Sequence, residues 1–186
     1  MDSVKLRKYL NPGVGMLIFG IVLGVVTALA AILLKNARKT VIPPWLVIAV
    51  GAFFSIGFIA VWFSMRKDYR KLFGTISKTD LDDLCEEFEA SEVWFNDKFR
   101  VGKKHIFVQG DAELEEIREI KSVYEKASFK EGNESCRWLH IERENGTNRH
   151  LCILNPSGQD TLKVMQFANA LAEIKPDAKY TGVVRG

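Results

Sequence analysis

The sequence predicts a hairpin of two membrane-spanning helices followed by an α+β soluble domain. Two long uncharged apolar runs fill most of the first 65 residues, and short alternating strands followed by one amphipathic helix fill the remainder. Charge divides the chain at the same place. Residues 1–71 carry ten Lys and Arg against two Asp, whereas residues 72–186 carry sixteen against twenty-one Asp and Glu. A basic anchor over residues 1–71, followed by an acidic soluble part, accounts for this division.

The two apolar runs predict membrane spans over about residues 13–34 and 45–65. They contain 22 and 21 residues without a charge, and each is long enough to cross a hydrocarbon core of about 30 Å as a helix. Their connection is short, so we expect a helical hairpin. A signal-peptide core has roughly 7–15 residues and no second span after it, which favours a retained anchor here.

Charges beside the spans predict their orientation. Seven Lys and Arg flank the outer ends of the hairpin and three lie in its connection, which favours cytoplasmic N- and C-termini in a multi-pass protein of the cell membrane. The three cysteines are an odd number and cannot all pair in disulfides, as the cysteines of a small secreted domain usually do. This also favours the cytoplasmic side. The residues expected at the membrane surface after the second span are Arg66, Lys67, Arg70 and Lys71.

Small residues predict where the two spans touch. Gly20, Gly24 and Ala28 recur at four-residue spacing in the first span. Gly51 and Ser55 repeat that spacing in the second span. Such strips allow helix backbones to approach closely, either within one hairpin or between copies in a homo-oligomer. Neither span contains an ionisable residue, so no ion pathway or proton relay is predicted.

Residues 72–91 predict a short amphipathic helix that connects the anchor to the soluble domain. Apolar residues recur at i, i+3, i+4 and i+7 from Leu81 to Phe88, and Ser77 or Thr79 is placed to cap the helix. Three Asp in its first turn favour the same N-terminus. The acidic face is expected to point away from anionic lipid.

Residues 92–186 predict antiparallel strands closed by a helix. Short aromatic and β-branched runs predict strands between 92 and 109, and residues 136–154 predict a hairpin about Asn145-Gly146, the preferred type I′ pair. Residues 113–124 fit a helix by some spacings and a strand by others. Ser157 or Asp160 is placed to cap the final helix. The buried face predicted for that helix consists of Val164, Phe167, Ala168, Leu171 and Ile174.

Histidines and cysteines near this hairpin raise the question of a metal site. With a two-residue turn His140 lies opposite Leu151, so His140 and His150 point to opposite faces, although a one-residue change of register would bring them together. Cys136 still lies several residues from Cys152. No closed zinc site, cofactor or catalytic nucleophile is therefore predicted. The acidic soluble part also argues against nucleic-acid binding.

The order of four segments resembles the bacterial pleckstrin-homology-like (PH-like) domains of small membrane proteins with two N-terminal spans. The segments are RVGKKHIFV, EIREIKSVYEKASF, RWLHIERENGTNRHLCIL and the closing helix. The resemblance covers most of residues 92–175 and the architecture of residues 13–65. It implies a cytosolic PH-like antiparallel barrel in which residues 113–124 form a strand. In lipid-binding domains of this kind basic residues gather around the first strand pair, and the matching residues are Lys98, Arg100, Lys103 and Lys104.

The predicted function is that of a non-enzymatic PH-like interaction module, anchored at the inner face of the cell membrane and binding a protein partner. Sheet edges and the groove beside the final helix are the places where we expect such a partner. One alternative is a sensor of anionic lipid or envelope stress that uses the basic residues between 98 and 104. The net negative charge of residues 72–186 disfavours it. Another alternative is an accessory subunit of a membrane enzyme or transporter.

Overall fold

The computed structural model describes residues 3–36, 43–155 and 159–185. The chain forms two compact units. One unit, Asn11–Thr75, is the helical hairpin; the other, Met1–Leu10 with Ile76–Gly186, is the mixed domain. The sequence assigned residues 1–10 to the anchor, whereas the structure groups them with the mixed domain.

The helical hairpin consists of α2 (Gly15–Asn36) and α3 (Pro44–Thr75). Their 22 and 32 residues extend about 33 and 48 Å at 1.5 Å per residue. By length and composition both helices are candidate membrane spans. α3 continues without interruption past residue 65, where the predicted span ends. Arg38 and Lys39, which entered the charge count of the connection, lie outside the described residues.

Small residues lie where α2 and α3 meet. A Cβ atom on Gly20 would stand 2.9 Å from Ile59 Cγ1, too close for an unstrained side chain. The Ser55 hydroxyl donates a hydrogen bond of 2.6 Å to the Gly20 carbonyl, and a Cβ on Gly24 would stand 3.0 Å from the same hydroxyl oxygen. Gly51 faces Thr27 across the contact. Ala28 lines a groove of about 490 Å³ along the hairpin.

The mixed domain contains three helices and two four-stranded sheets within the described residues. The helices are α1 (Ser3–Leu10), α4 (Lys78–Ala90) and α5 (Thr161–Ile174). The first sheet is antiparallel, in the order β1 (Glu92–Trp94), β2 (Phe99–Val101), β3 (His105–Val108) and β4 (Glu115–Glu116). The second sheet has the spatial order β7-β6-β5-β8, made of β5 (Ile120–Lys130), β6 (Asn133–Arg143), β7 (Asn148–Leu154) and β8 (Lys179–Arg185). This is the α+β arrangement that the sequence predicted.

α5 closes the core between the two sheets. Phe167 is fully buried, and its ring lies 5.0 Å from the ring of Phe99 and 5.6 Å from that of Trp94. Four of the five residues predicted for its buried face are buried, but Ile174 is 44% exposed because the last turn extends beyond the core. Asp160 occupies the N-cap position without capping the helix, since its carboxylate accepts the backbone N–H of Asn155. Ser157 lies outside the described residues.

α4 begins where the sequence placed its cap. The Ser77 side-chain oxygen accepts the backbone N–H of Asp80 at 3.1 Å. Leu84, Cys85 and Phe88 are buried and Leu81 is partly buried, which confirms most of the apolar face predicted from the i, i+3, i+4, i+7 pattern.

Residues 113–124 are mostly extended. After β4, a single 3-10 turn (Ile117–Glu119) leads directly into β5. β5 buries Ile120, Val123 and Ala127 against the core. The residues with helix-like spacing are Leu114, Ile117 and Ile120, which lie before, within and after that turn.

Two features of the second sheet differ from the sequence prediction. β8 follows α5 and pairs in parallel with β5, whereas the predicted domain ended with the helix. Between β6 and β7 the Arg143 N–H donates to the Thr147 carbonyl and closes a three-residue loop, 144–146, with Gly146 at φ +80°, where a two-residue type I′ turn was predicted. A bulge at Leu151 then shifts the register by one residue.

Candidate functional site

The four residues of the predicted lipid-binding cluster do not converge. Lys98 precedes β2, whereas Lys103 and Lys104 follow it in the turn to β3. Arg100 stands in the middle of β2, and its guanidinium donates to both carboxylate oxygens of Asp97 at 2.6 and 3.0 Å. These hydrogen bonds raise the pKa of Arg100. Arg100 is therefore already paired, and the three exposed lysines are divided between two turns.

Arg100 forms part of the contact that docks α1 on the domain. Its guanidinium carbon lies 5.3 Å from the centroid of the Tyr9 ring and 4.7 Å from that of Phe88. The Tyr9 hydroxyl donates to the Asp97 carbonyl at 3.0 Å, and the Tyr9 carbonyl accepts the N–H of Gly110 at 2.8 Å. Burial and the neighbouring Asp97 charge raise the pKa of the Tyr9 phenol.

Apolar burial adds to these polar contacts. Leu6 and Leu10 are fully buried, and the Tyr9 ring lies 5.1 Å from the ring of Phe88. Leu6, Tyr9 and Leu10 stand at i, i+3 and i+4, the spacing of one helical face. This signal is weak in the sequence because α1 is only eight residues long and directly precedes a stronger apolar run.

The turn beneath α1 has an unusual backbone. Phe95, Asn96 and Asp97 have φ values of 49°, 56° and 64°, and three successive non-glycine residues in the left-handed region are uncommon. Such residues cost on the order of 1 kcal/mol or more each. The Tyr9 and Arg100 hydrogen bonds to Asp97 offset part of that cost.

Glu87 on α4 holds the turn between β2 and β3. Its carboxylate accepts the backbone N–H groups of Lys104, at 2.5 Å, and His105, at 2.8 Å, and lies 2.7 Å from His105 Nδ1. Burial alone would raise the pKa of Glu87, but these hydrogen bonds hold it below its usual value. A Cβ on Gly102 would collide with the same carboxylate. A groove of about 600 Å³ runs between α4 and this turn, with Val101 and Ile174 among its lining residues.

Two buried carboxylates are fully paired inside the domain. Glu115 is 1% exposed and binds the guanidinium groups of Arg143 and Arg149. Glu125 is 0% exposed and accepts from Arg137 at 2.7 Å and from the Tyr180 hydroxyl at 2.6 Å. The Glu115 pairs join β4 to β6 and β7. The Glu125 pairs join β5 to β6 and β8.

The pairing of Glu115 gives the domain a defined response to acid. Burial alone would raise the pKa of Glu115, but the hydrogen bonds from Arg143 and Arg149 hold it below its usual value. The carboxylate therefore stabilises the fold at pH values above its unfolded pKa of about 4.3. This contribution is lost as the pH falls through the lower folded-state value.

The three-residue loop changes the expected pairing of the histidines by one residue, and the bulge at Leu151 restores the predicted register beyond them. His140 pairs with His150, and both side chains lie on the outward face of the second sheet. The His140 ring is stacked 5.3 Å from Tyr124 and lies 5.6 Å from the His150 ring. Burial lowers the pKa of both imidazoles; the charges of His150 and Lys126 add to the effect on His140.

The three thiols are free. Cys85 and Cys152 are buried, and burial raises the pKa of Cys152 to about 12. Cys136 is half-buried on β6. Across residues 3–36, 43–155 and 159–185, no group of three or more His, Cys, Asp or Glu is arranged to hold a metal.

The predicted membrane-surface residues Arg66, Lys67, Arg70 and Lys71 lie on the last turns of α3. The Arg66 guanidinium donates to the Asn11 side chain at 2.9 Å and lies over the rings of Trp62 and Tyr69. Comparison of the chain with protein-family models, with curated proteins and with solved structures found no match.

Proposed function

We propose that the chain is a membrane-anchored, non-enzymatic interaction module that holds a PH-like domain at the inner face of the cell membrane and binds a protein partner there. The apolar surface of the hairpin supports the anchor. Leu33 is 71% exposed and Phe53 is 74% exposed. Burying one such side chain is worth roughly 1.5–3 kcal/mol, so this surface favours lipid over water.

The observation that carries the proposal is the packing of α1 within the mixed domain. α1 precedes the first candidate span and α4 follows the second. Their presence in one folded domain supports a topology in which both ends of the hairpin lie on the same side of the membrane. The seven basic residues at those ends favour the cytoplasmic side.

The strand order supports the PH-like assignment, although the two sheets are separate and do not close into the antiparallel barrel that the resemblance implied. β1 to β4 form one antiparallel sheet, β5 to β7 form the antiparallel part of the second, and α5 follows. β8 is an addition to that pattern. A domain tethered close to the bilayer meets membrane proteins at an effective concentration that can reach roughly millimolar, so weak contacts suffice. The groove between α4 and the β2–β3 turn is the proposed surface for the partner.

Anionic headgroup binding is a second candidate, favoured by one pocket. Lys103 and Lys104 line a cavity of about 400 Å³ together with Arg118 and Lys175. Its basic lining suits phosphate oxygens. Arg118 is paired with Glu116, and the Lys175 ammonium already donates to two backbone carbonyls and to Glu144. This pocket and the proposed partner groove share the same two lysines.

Thiol labelling tests the side of the membrane. We expect Cys136 to react with a membrane-impermeant maleimide only after lysis, because it is the only cysteine that is not buried. The Cys136→Ser variant is the matched control and should show no labelling under native conditions. Labelling of Cys136 in intact cells would contradict the cytoplasmic location.

Photocrosslinking tests the partner and separates the two candidates. We expect a photoreactive amino acid replacing Lys103, in the full chain in cells, to form a discrete protein adduct. The same residue replacing Glu131, which is exposed in the β5–β6 turn, is the control and should not form it. A lipid adduct at position 103 in place of the protein adduct would favour the second candidate. Identical adducts from both positions would contradict a specific partner surface.

A further inference from the structure

Two histidines face each other on the outward side of the second sheet. The centroids of the His140 and His150 rings are 5.6 Å apart, and the ring planes are inclined by 59°. Two imidazoles bound to one zinc ion, with Zn–N bonds of about 2.0–2.1 Å, place their centroids roughly 5–5.5 Å apart. We propose that this pair binds a divalent transition-metal ion of the zinc class, with water completing the coordination.

Hydrogen bonding of the rings supports the site. A ring N–H of His150 donates to the backbone of Cys152, which leaves the other ring nitrogen for a ligand. Metal-binding histidines commonly make this kind of hydrogen bond with the nitrogen that does not bind the metal. His140 Nδ1 is buried and has no hydrogen-bond partner in the described part of the chain. A buried polar atom without a partner is rare, and a metal ion bound at Nδ1 would supply one.

The surroundings set limits on the affinity. The Lys126 charge near His140 opposes a cation, and the Glu142 carboxylate on the same face is held by Lys121 and Ser122. The chain contributes two ligands, so we expect weaker binding than at a closed site with three or four.

Metal titration of the full chain in detergent, purified without a polyhistidine tag, tests the site. Calorimetry with Zn²⁺ should show one ion per chain, and Co²⁺ should give visible absorption bands from nitrogen ligation. We expect His140→Gln or His150→Gln to weaken binding by roughly tenfold or more, since even the loss of a supporting hydrogen bond costs that much. His105→Gln and Cys136→Ser are matched controls and should retain the wild-type affinity.

The outcomes separate a specific site from incidental binding. Absence of stoichiometric Zn²⁺ binding by the wild-type chain would overturn the proposal. Unchanged affinity in both variants, or an equal loss in the His105→Gln or Cys136→Ser control, would also overturn it. Thermal unfolding in EDTA checks that the variants fold. His150 is exposed, so His150→Gln decides the question if His140→Gln does not fold.

Discussion

Replacing Glu115 by alanine should lower the free energy of unfolding of the mixed domain by about 3–5 kcal/mol. The substitution removes the buried carboxylate that pairs with Arg149, which is 9% exposed, and with Arg143, and removing one partner of a buried ion pair carries a penalty of this size. The carboxylates that remain beside them, Asp111 and Glu113, are 39% and 60% exposed and so contribute less. Urea denaturation of the full chain in detergent, followed by near-UV circular dichroism, measures the change.

Glu116→Ala is the control for this prediction. Glu116 is adjacent in sequence, but it pairs with the largely exposed Arg118, so its loss should cost less than about 1 kcal/mol. Equal effects of the two substitutions would show that the Glu115 network does not hold β4 to β6 and β7.

Truncation of a buried leucine on α1 is expected to have the second large effect. Leu10→Ala should destabilise the domain by about 2–5 kcal/mol, because Leu10 is fully buried and the substitution leaves a cavity. The same denaturation experiment reports the loss, and hydrogen exchange at the Gly110 amide, which donates to Tyr9, should accelerate in parallel.

Val4→Ala supplies the matched control on the same helix. Val4 is 67% exposed, so the smaller side chain should change the stability by less than about 0.5 kcal/mol. If Leu10→Ala were no more destabilising than Val4→Ala, α1 would not be docked in the protein.

Elements with a long or strongly periodic pattern could be predicted from the sequence. The two apolar runs became α2 and α3, and the spacing from Leu84 to Phe88 located the buried face of α4. β8 could not be predicted in this way. Tyr180 is partly buried against the core, but most other side chains of β8 are exposed, so the alternating pattern is too short to predict a strand, and its position depends on backbone pairing with β5.

Strand register and side-chain pairing could not be predicted from local sequence patterns. The prediction for His140 and His150 was wrong because it assumed a two-residue turn, whereas the loop has three residues, with Gly146 at positive φ, and shifts the pairing by one residue. In the sequence, Arg100 has no evident partner. Asp97 is brought to it by the folded turn, and Tyr9 lies on a helix about 90 residues earlier in the chain.

The docking of α1 has a consequence for biogenesis. α1 precedes the hairpin in the chain, but it cannot dock until Phe88 and the β1–β2 turn have been synthesised after the hairpin. In the proposed membrane-spanning topology the hairpin is inserted by then, and α1 reaches its docked position only if both ends of the hairpin have remained on one side of the membrane. A chain with only one helix inserted would leave Leu6 and Leu10 exposed, in a form open to proteolysis. Docking of the buried face of α1 would thus occur only after both helices of the hairpin have been inserted.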